Sequence, residues 1–332
     1  MNYKDFLEFL KNKSVLLTSH SPVDLDGLVS CIIFHLFLKE FNQNTVVNIY
    51  FSEISKPTKQ YMEKFLALFS DFKFPLQSEF NSSDFDIILI LDTNNLELIG
   101  NIVDSKTDLP FIFIDHHLNL EKQYKNNLTP YNIINEQYTS TTEIVYNVIN
   151  TFYFFLPIPY KYLIASAIVT DSYFLKYANN RTLLHLSKIL QEQVNYQEVM
   201  ELLNIPLDLS EKIAKIKGLQ RVNLIKVNKW LIGVSHVSSF SASVASLLIN
   251  IGFDISIVYS KQKLGYRITM RASKSVCLET GLHLGRMLSE LGNRNGGGHE
   301  SAASFSTNSS NLKFIDNILD NLKKILIKEQ SL

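Results

Sequence analysis

Four short apolar runs constrain the first half of this chain more than any other feature: VLLTS (15–19), VVNIYF (46–51), DIILILD (86–92) and PFIFID (110–115). Each is rich in β-branched or aromatic residues and bounded by polar ones, which predicts a short buried strand. Stretches with helical apolar spacing lie between them, at 28–41 and 58–69. Strands alternating with helices predict an α/β domain, a doubly wound and mostly parallel sheet with helices on both faces. In such sheets, ligands gather outside the carboxyl ends of the strands. Here those ends carry Thr18, Ser19 and His20, then Asp92, then Asp115 and His116.

Residues 140–190 read as helical, most clearly at 142–149 and 162–177, with Pro157 and Pro159 breaking the chain between. Residues 191–225 read as a helical connector interrupted by Pro206. A second pattern starts near 228. Strands are expected in WLIGVSHV, DISIVYS, GYRITMRA and SAASFS, and helices over 241–251, 280–291 and 311–328. The expected organisation is a catalytic domain over 1–190, a connector over 191–225 and a second, smaller α/β domain over 226–332.

The 332 residues are 46% hydrophobic and 19% charged, which is a globular composition. Apolar stretches such as 152–157 are far too short to span a bilayer. The opening MNYKDFLEFLKNK lacks the layout of a signal peptide. A cytoplasmic protein without membrane partners is therefore expected. The two cysteines, Cys31 and Cys277, stand far apart and are read as apolar fillers rather than a disulfide or a thiolate metal site. Net charge is zero, but residues 1–190 hold 15 Lys and Arg against 20 Asp and Glu, and residues 191–332 hold 17 against 12. A protein coating long duplex DNA would carry a strong basic excess; a mildly basic second half suits a small anion.

Five motifs carry chemistry. In HSPVDLDG, His20, Asp24 and Asp26 lie between a strand end and a helix start, where one turn can aim all three at a single spot. Mixed imidazole and carboxylate ligation suits divalent ions of intermediate hardness, although Asp24 or Asp26 could equally cap the helix. Asp92 closes the run IILIL, and a carboxylate at a buried strand end is costly unless paired or metal-bound. Asp115, His116 and His117 follow FIFI; Asp115 could orient a histidine, His116 ligate metal and His117 contact a phosphate oxygen. Asp171 ends an apolar helical pattern, where a solvent-facing helix terminus is the plain alternative. Taken together, these side chains suffice for two cations sharing a bridging carboxylate, the arrangement that hydrolyses phosphoesters. In the second domain, Asn295 to His299 reads NGGGH. Gly296, Gly297 and Gly298 would let backbone approach an anion, with His299 as a side-chain donor. Arg286 and Arg294 precede this loop, and Arg267 and Arg271 share one face of a strand. His35 and His185 sit among leucines and read as core residues.

The ordered set HSPVDLD, LDTNN, IDHH, VTD and NGGGH resembles the DHH phosphoesterase superfamily with its DHH-associated C-terminal domain, over nearly the whole chain. The pieces VSSFSASVA and GLHLGRMLSELG further resemble archaeal members. The resemblance implies an active site in the cleft between two domains. His20, Asp24 and Asp92 would hold one manganese; Asp26, Asp92, His116 and Asp171 would hold the second, with magnesium or cobalt as alternatives. His117 would contact the scissile phosphate, Asp115 would support it from behind, and Arg271 with the Gly296–His299 loop would grip the far end of the substrate. Family members often dimerise, which implies a homodimer. Val23 stands where proline is usual, Gly27 where alanine is common and Asn94 where a small residue is usual; none of these removes a ligand.

The leading expectation is an enzyme that cuts short oligoribonucleotides or dinucleotides to mononucleotides. A cyclic-dinucleotide phosphodiesterase and a phosphatase of 3′-phosphoadenosine 5′-phosphate are alternatives in the same reaction class. A nucleotide-sensing module without catalysis is the alternative of another class.

Overall fold

The computed structural model describes residues 3–41, 44–102, 109–117, 129–191, 193–291, 296–308 and 312–327. Arg294 and Asn295, and the ends of the expected last helix at 311 and 328, lie outside them. The chain forms two compact units, residues 1–205 and 206–332. Among the described residues no helix is long and apolar enough to cross a membrane.

In the first unit the order is α1 (Tyr3–Leu10), β1 (Ser14–Thr18), α2 (Leu25–Phe41), β2 (Val46–Ile49), α3 (Lys56–Leu68), β3 (Ile87–Leu91), β4 (Phe111–Asp115), β5 (Ile133–Ile134), α4 (Thr141–Asn150), α5 (Ile158–Asp171), α6 (Asn180–Leu190) and α7 (Tyr196–Leu203). The sheet runs β2-β1-β3-β4-β5 and every pairing is parallel. β3 therefore lies at the centre, between β1 and β4, as the α/β pattern requires. All five residues of β3 and of β4 are buried. Side chains of a strand alternate between faces. Val15, Leu17, Leu89 and Ile112 thus join Phe34 of α2, Val145 of α4 and Ile164 of α5 in one core. Leu16, Ile88, Ile90 and Phe113 join a second core, which a 3₁₀ segment, Leu96–Ile102, covers with Ile99 and Ile102. Each Ile or Leu buried this way contributes roughly 1.5–3 kcal/mol. α2 is buried along nearly its whole length, including Asp26 and Gly27 at its start.

Helical spacing predicts α5 running on to 177, but it ends at Asp171. Tyr173, Phe174 and Leu175 are left-handed, with φ of 54°, 54° and 68°. Ser172 locks this turn: its hydroxyl donates to the Ile168 and Val169 carbonyls and accepts from the Leu175 N–H. Apolar periodicity continues through such a turn, which is why the sequence pattern overran it.

The second unit comprises α8 (Leu209–Gln220), β6 (Asn223–Val227), β7 (Trp230–His236), α9 (Ser241–Asn250), β8 (Ile255–Gln262), β9 (Gly265–Ala272), α10 (Lys274–Thr280), α11 (Leu284–Leu291), β10 (Gly296–Gly298), β11 (Ala302–Thr307) and α12 (Lys313–Ile327). Its sheet runs β10-β11-β9-β8-β7-β6, antiparallel except between β7 and β8. The stretch 191–225 divides between the units. α7 packs Val199 and Leu202 into the first core, while Ala214 of α8 packs with Val244 and Leu248 of α9. The helix expected over 280–291 starts only at Leu284, as α11, because Gly281 at φ 67° ends a separate helix, α10, before it. The glycine triplet, expected as a loop, is an edge strand paired with β11. Gly298 is needed there: at φ 149°, a Cβ would lie 2.3 Å from the Ala302 carbonyl oxygen.

At Gly27 a Cβ would meet Ser19 Oγ at 2.3 Å and Val23 Cγ2 at 2.9 Å. Gly27→Ala should therefore lower stability by about 1–3 kcal/mol, read as a shifted urea midpoint. Adding Ser19→Ala should recover part of the loss; an unchanged midpoint for the single variant would show that α2 can back away freely.

Candidate metal centre and the second-unit pocket

Three neighbouring strand ends bring the acidic and imidazole side chains to one rim, with Asp92 in the middle because β3 is the middle strand. Asp92 itself is left-handed at φ 63° and 4% exposed, an unfavourable backbone and an unfavourable place for a charge. His20 follows β1 and places Nε2 3.6 Å from Asp24 Oδ1 and 3.5 Å from Asp92 Oδ2. His116 follows β4 and places Nε2 3.6 Å from Asp92 Oδ1 and 3.2 Å from Asp171 Oδ2. His20, Asp24 and Asp92 offer ligand atoms within 4.8 Å of one another, and so do Asp26, His116 and Asp171. A third such set is Asp92, Asp115, His116 and His117. Donors on one cation at about 2.0–2.2 Å lie roughly 3–4 Å apart, which is the spacing found here.

The first turn of α4 holds this rim together. Thr141 N and Thr142 N donate to the two oxygens of Asp26 at 2.7 and 2.9 Å, and Thr141 Oγ1 donates to Asp92 at 3.1 Å. A helix N-terminus favours negative charge, so these N–H groups favour the ionised form of Asp26. Ser140 caps this helix through the Glu143 N–H. Glu143, fully buried, accepts from Thr139 and Thr182 and sits 3.0 Å from His185 Nδ1. Sequence reasoning missed Thr141, Thr142 and Glu143 and took His185 for a plain core residue. The pattern Ser140-x-x-Glu143 is a capping-box signal, and it marks the turn.

The electrostatics call for a counter-charge. Burial, and then the charges of Asp26, Asp24, Asp171 and Asp115, push the Asp92 carboxyl well above its ordinary range. Burial with Asp26, Asp24 and Asp115 raises Asp171 to about 9. Burial and Asp24 raise Asp26 only to about 6, because the Thr142 and Thr141 N–H groups oppose them. Burial also opposes the charge on Asp24, but contacts with His20 and the Gly27 N–H outweigh it and hold that carboxyl low. Asp24 accepts from the Gly27 N–H at 3.1 Å, so it caps α2 while facing His20. Burial, then His117, lower His116 to about 4, leaving a neutral imidazole ready to ligate. His116 Nε2 and Asp171 Oδ2 are buried without a hydrogen-bond partner. Clustered carboxylates, neutral imidazole and unpartnered donor atoms fit a pair of divalent cations.

Asp115 is tied to His117. Fully buried, it accepts from the His117 backbone N–H at 3.2 Å and lies 2.8 Å from His117 Nδ1. That contact raises the His117 pKa. The His117 side chain is 60% exposed, so it presents a cation-leaning imidazole beside the rim.

The second unit has a pocket of about 620 Å³ lined by Arg267, Arg271, Gly297, Gly298 and His299, with Phe240 and several hydroxyls. The two arginines share the face of β9 that the sequence assigned them. The His299 N–H is engaged by the Ala302 carbonyl at 2.7 Å. The side chain of His299, rather than its amide, is thus left for a ligand. A Cβ on Gly297 would touch nothing. Arg286 meets His283 through its backbone and does not line this pocket.

Residues 14–170 match the DHH family, N-terminal domain. Along almost its full length the chain is similar to an uncharacterized protein of Methanocaldococcus jannaschii, 27% identical over 334 residues that cover 98% of each. An exopolyphosphatase-related protein from Bacteroides fragilis has a similar structure, with a TM-score of 0.75 at 19% identity, covering 98% of this chain and 97% of that one. RecJ from Thermus thermophilus, in complex with Mn2+, gives a TM-score of 0.51 at 14% identity over 98% of this chain and 54% of that one. At these identities the two structural likenesses are of fold.

The raised carboxyls bind protons more tightly folded than unfolded, so their stabilising effect exists at low pH and is lost as pH rises through the folded pKa. Above about pH 7.5, a unit past the ordinary histidine value, His116 is neutral in both states and Asp26 is ionised in both. Asp171, at about 9, still titrates. In chelator, the melting temperature should fall from pH 7.5 to 9. Asp171→Asn should flatten that fall, and added Mn2+ should raise and flatten the wild-type curve. A flat wild-type curve in chelator would contradict the like-charge account.

Proposed function

We propose, on the match of residues 14–170 to the DHH family, N-terminal domain, that the chain is a two-metal phosphoesterase acting on short oligoribonucleotides or dinucleotides. The observation that carries this reading is the convergence of His20, Asp24 and Asp92, and of Asp26, His116 and Asp171, on a common rim with Asp92 touching both histidines. We assign His20, Asp24 and Asp92 to one cation and Asp26, Asp92, His116 and Asp171 to the other. Manganese suits such a mixed donor set, and the RecJ structure of similar fold holds Mn2+. A bound pair of such ions supplies Lewis acidity at phosphorus and lowers the pKa of water.

The protein's own groups do the remaining work. Asp26 is immobilised by two α4 N–H groups and Asp92 by Thr141, which fixes the donor positions in advance. His117, held at Nδ1 by Asp115, has its other ring nitrogen available to donate to a phosphoryl oxygen and steady negative charge there. The second-unit pocket is of ligand size and suits a nucleotide. Arg267, Arg271 and His299 can face phosphate, Phe240, 38% exposed, can face a base, and hydroxyls such as Ser241 and Thr269 can face a sugar. A neutral net charge argues against long duplex DNA as the substrate.

The test is Mn2+-dependent hydrolysis of RNA of two to ten nucleotides, cyclic dinucleotides and 3′-phosphoadenosine 5′-phosphate. Short RNA should be the best substrate. Asp92→Ala should lose at least ~100-fold, the upper end of what outer partners of a metal cost. His117→Ala should lower kcat while metal content stays unchanged. Equal release of product by wild type and Asp92→Ala, or no cleavage of any member by either, would overturn the assignment. Preferred cleavage of cyclic dinucleotides or of the phosphoadenosine would replace the RNA reading and keep the chemistry.

A further inference from the structure

Two hollows in the second unit share a wall. The first is the pocket described above. The second, of about 300 Å³, lies against α8 and carries Lys217 and Arg221 above Ile213, Ala214 and Val237. Ser238 and Ser239 line both hollows. Neither lining includes an Asp or Glu, so two arginines and a histidine on one side of the serines face a lysine and an arginine on the other.

Lys217 and Arg221 are four residues apart at the end of α8, and so lie on one face. Both are exposed, as are Ser238 and Ser239. The Arg221 guanidinium donates to the His236 carbonyl at 3.4 Å, which steadies its position and engages only one of its five donors. The acid on the first turns of the same helix, Glu211, is tied to Lys215 at 3.3 Å and to Ser243, leaving Lys217 unneutralised. A run of anions that fills the first pocket and continues past the two serines would meet fresh positive charge and two hydroxyl donors. A phosphodiester backbone is such a run, with one charge per nucleotide.

We propose that the Lys217–Arg221 hollow is a second anion subsite, which takes the backbone phosphate of a nucleotide beyond the one in the first pocket. The protein then binds single-stranded RNA of several nucleotides more tightly than it binds a dinucleotide. The inference rests on the reading of the protein as acting on short RNA.

The test is equilibrium binding by fluorescence anisotropy, using the full chain loaded with Mn2+ and RNA whose linkages are phosphorothioates that resist cleavage. The probes are an end-labelled dinucleotide and an end-labelled pentanucleotide RNA. Wild type should bind the pentanucleotide about tenfold more tightly, as charge-assisted contacts warrant. The pair Lys217→Ala with Arg221→Ala should lose that gain and leave dinucleotide affinity within about twofold, and its salt slope for the pentanucleotide should fall by about 1. Lys217→Arg should keep the gain. Equal wild-type affinity for both lengths, or an equal loss of both in the double variant, overturns the subsite alone. No binding of either RNA overturns the RNA reading and the subsite with it.

Discussion

Asp24, Asp26, Asp92 and Asp171 crowd around two imidazoles at one rim of a parallel sheet, and their mutual repulsion sets the terms for the first unit. Asp92 is nearly sealed from water and left-handed, at the end of a strand with no exposed residue. Placing several carboxylates there costs far more than one side-chain contact returns unless positive charge or directed N–H groups answer them. The hydrophobic layers on both faces of the sheet supply the rigidity that keeps the strand ends from spreading apart.

Two helix ends tune this rim in opposite senses. Asp26 meets the N-terminus of α4 and receives two backbone N–H groups, which keeps its carboxyl near 6 despite full burial. Asp171 lies at the C-terminus of α5, the end whose dipole disfavours an anion, and one of its oxygens is buried without a partner. Its carboxyl rises to about 9. The same residue type is therefore mostly ionised at neutral pH in one place and held protonated in the other. A cation held by Asp26, His116 and Asp171 together would favour the ionised form of Asp171. The left-handed turn after Asp171 matters for the same reason, since it stops α5 with that carboxylate at the rim.

The second unit handles charge differently. The polar groups of its two hollows are mainly hydroxyls and cationic or imidazole side chains, on a mostly antiparallel sheet and on α8, with no acid in either lining. The glycines there permit close packing of an edge strand: Gly298 lies tight against Ala302, while Gly297 leaves its side of the pocket open. The glycine triplet is thus a structural solution first, and its value to a ligand lies in the room it leaves beside Arg271 and His299.

The four buried runs, their alternation with helices and the polar residues that end them were legible in the sequence, because burial writes itself as composition and spacing. They determined a parallel α/β unit and gathered His20, Asp92, Asp115 and His116 at the strand ends. From spacing alone Asp171 was legible only as the end of an apolar pattern; the turn at Tyr173–Leu175 ends α5 there, and apolar spacing runs through that turn unchanged. Thr141 and Thr142 were not legible as partners of Asp26, more than a hundred residues away. Neither was the buried tie between Glu143 and His185, nor the wall shared by the two hollows. Local sequence sets backbone preference and which face is apolar. Distant hydrogen bonds and the balance of neighbouring charges exist only once the chain has folded, so the tertiary structure alone decided which carboxylates are held and which call for a cation.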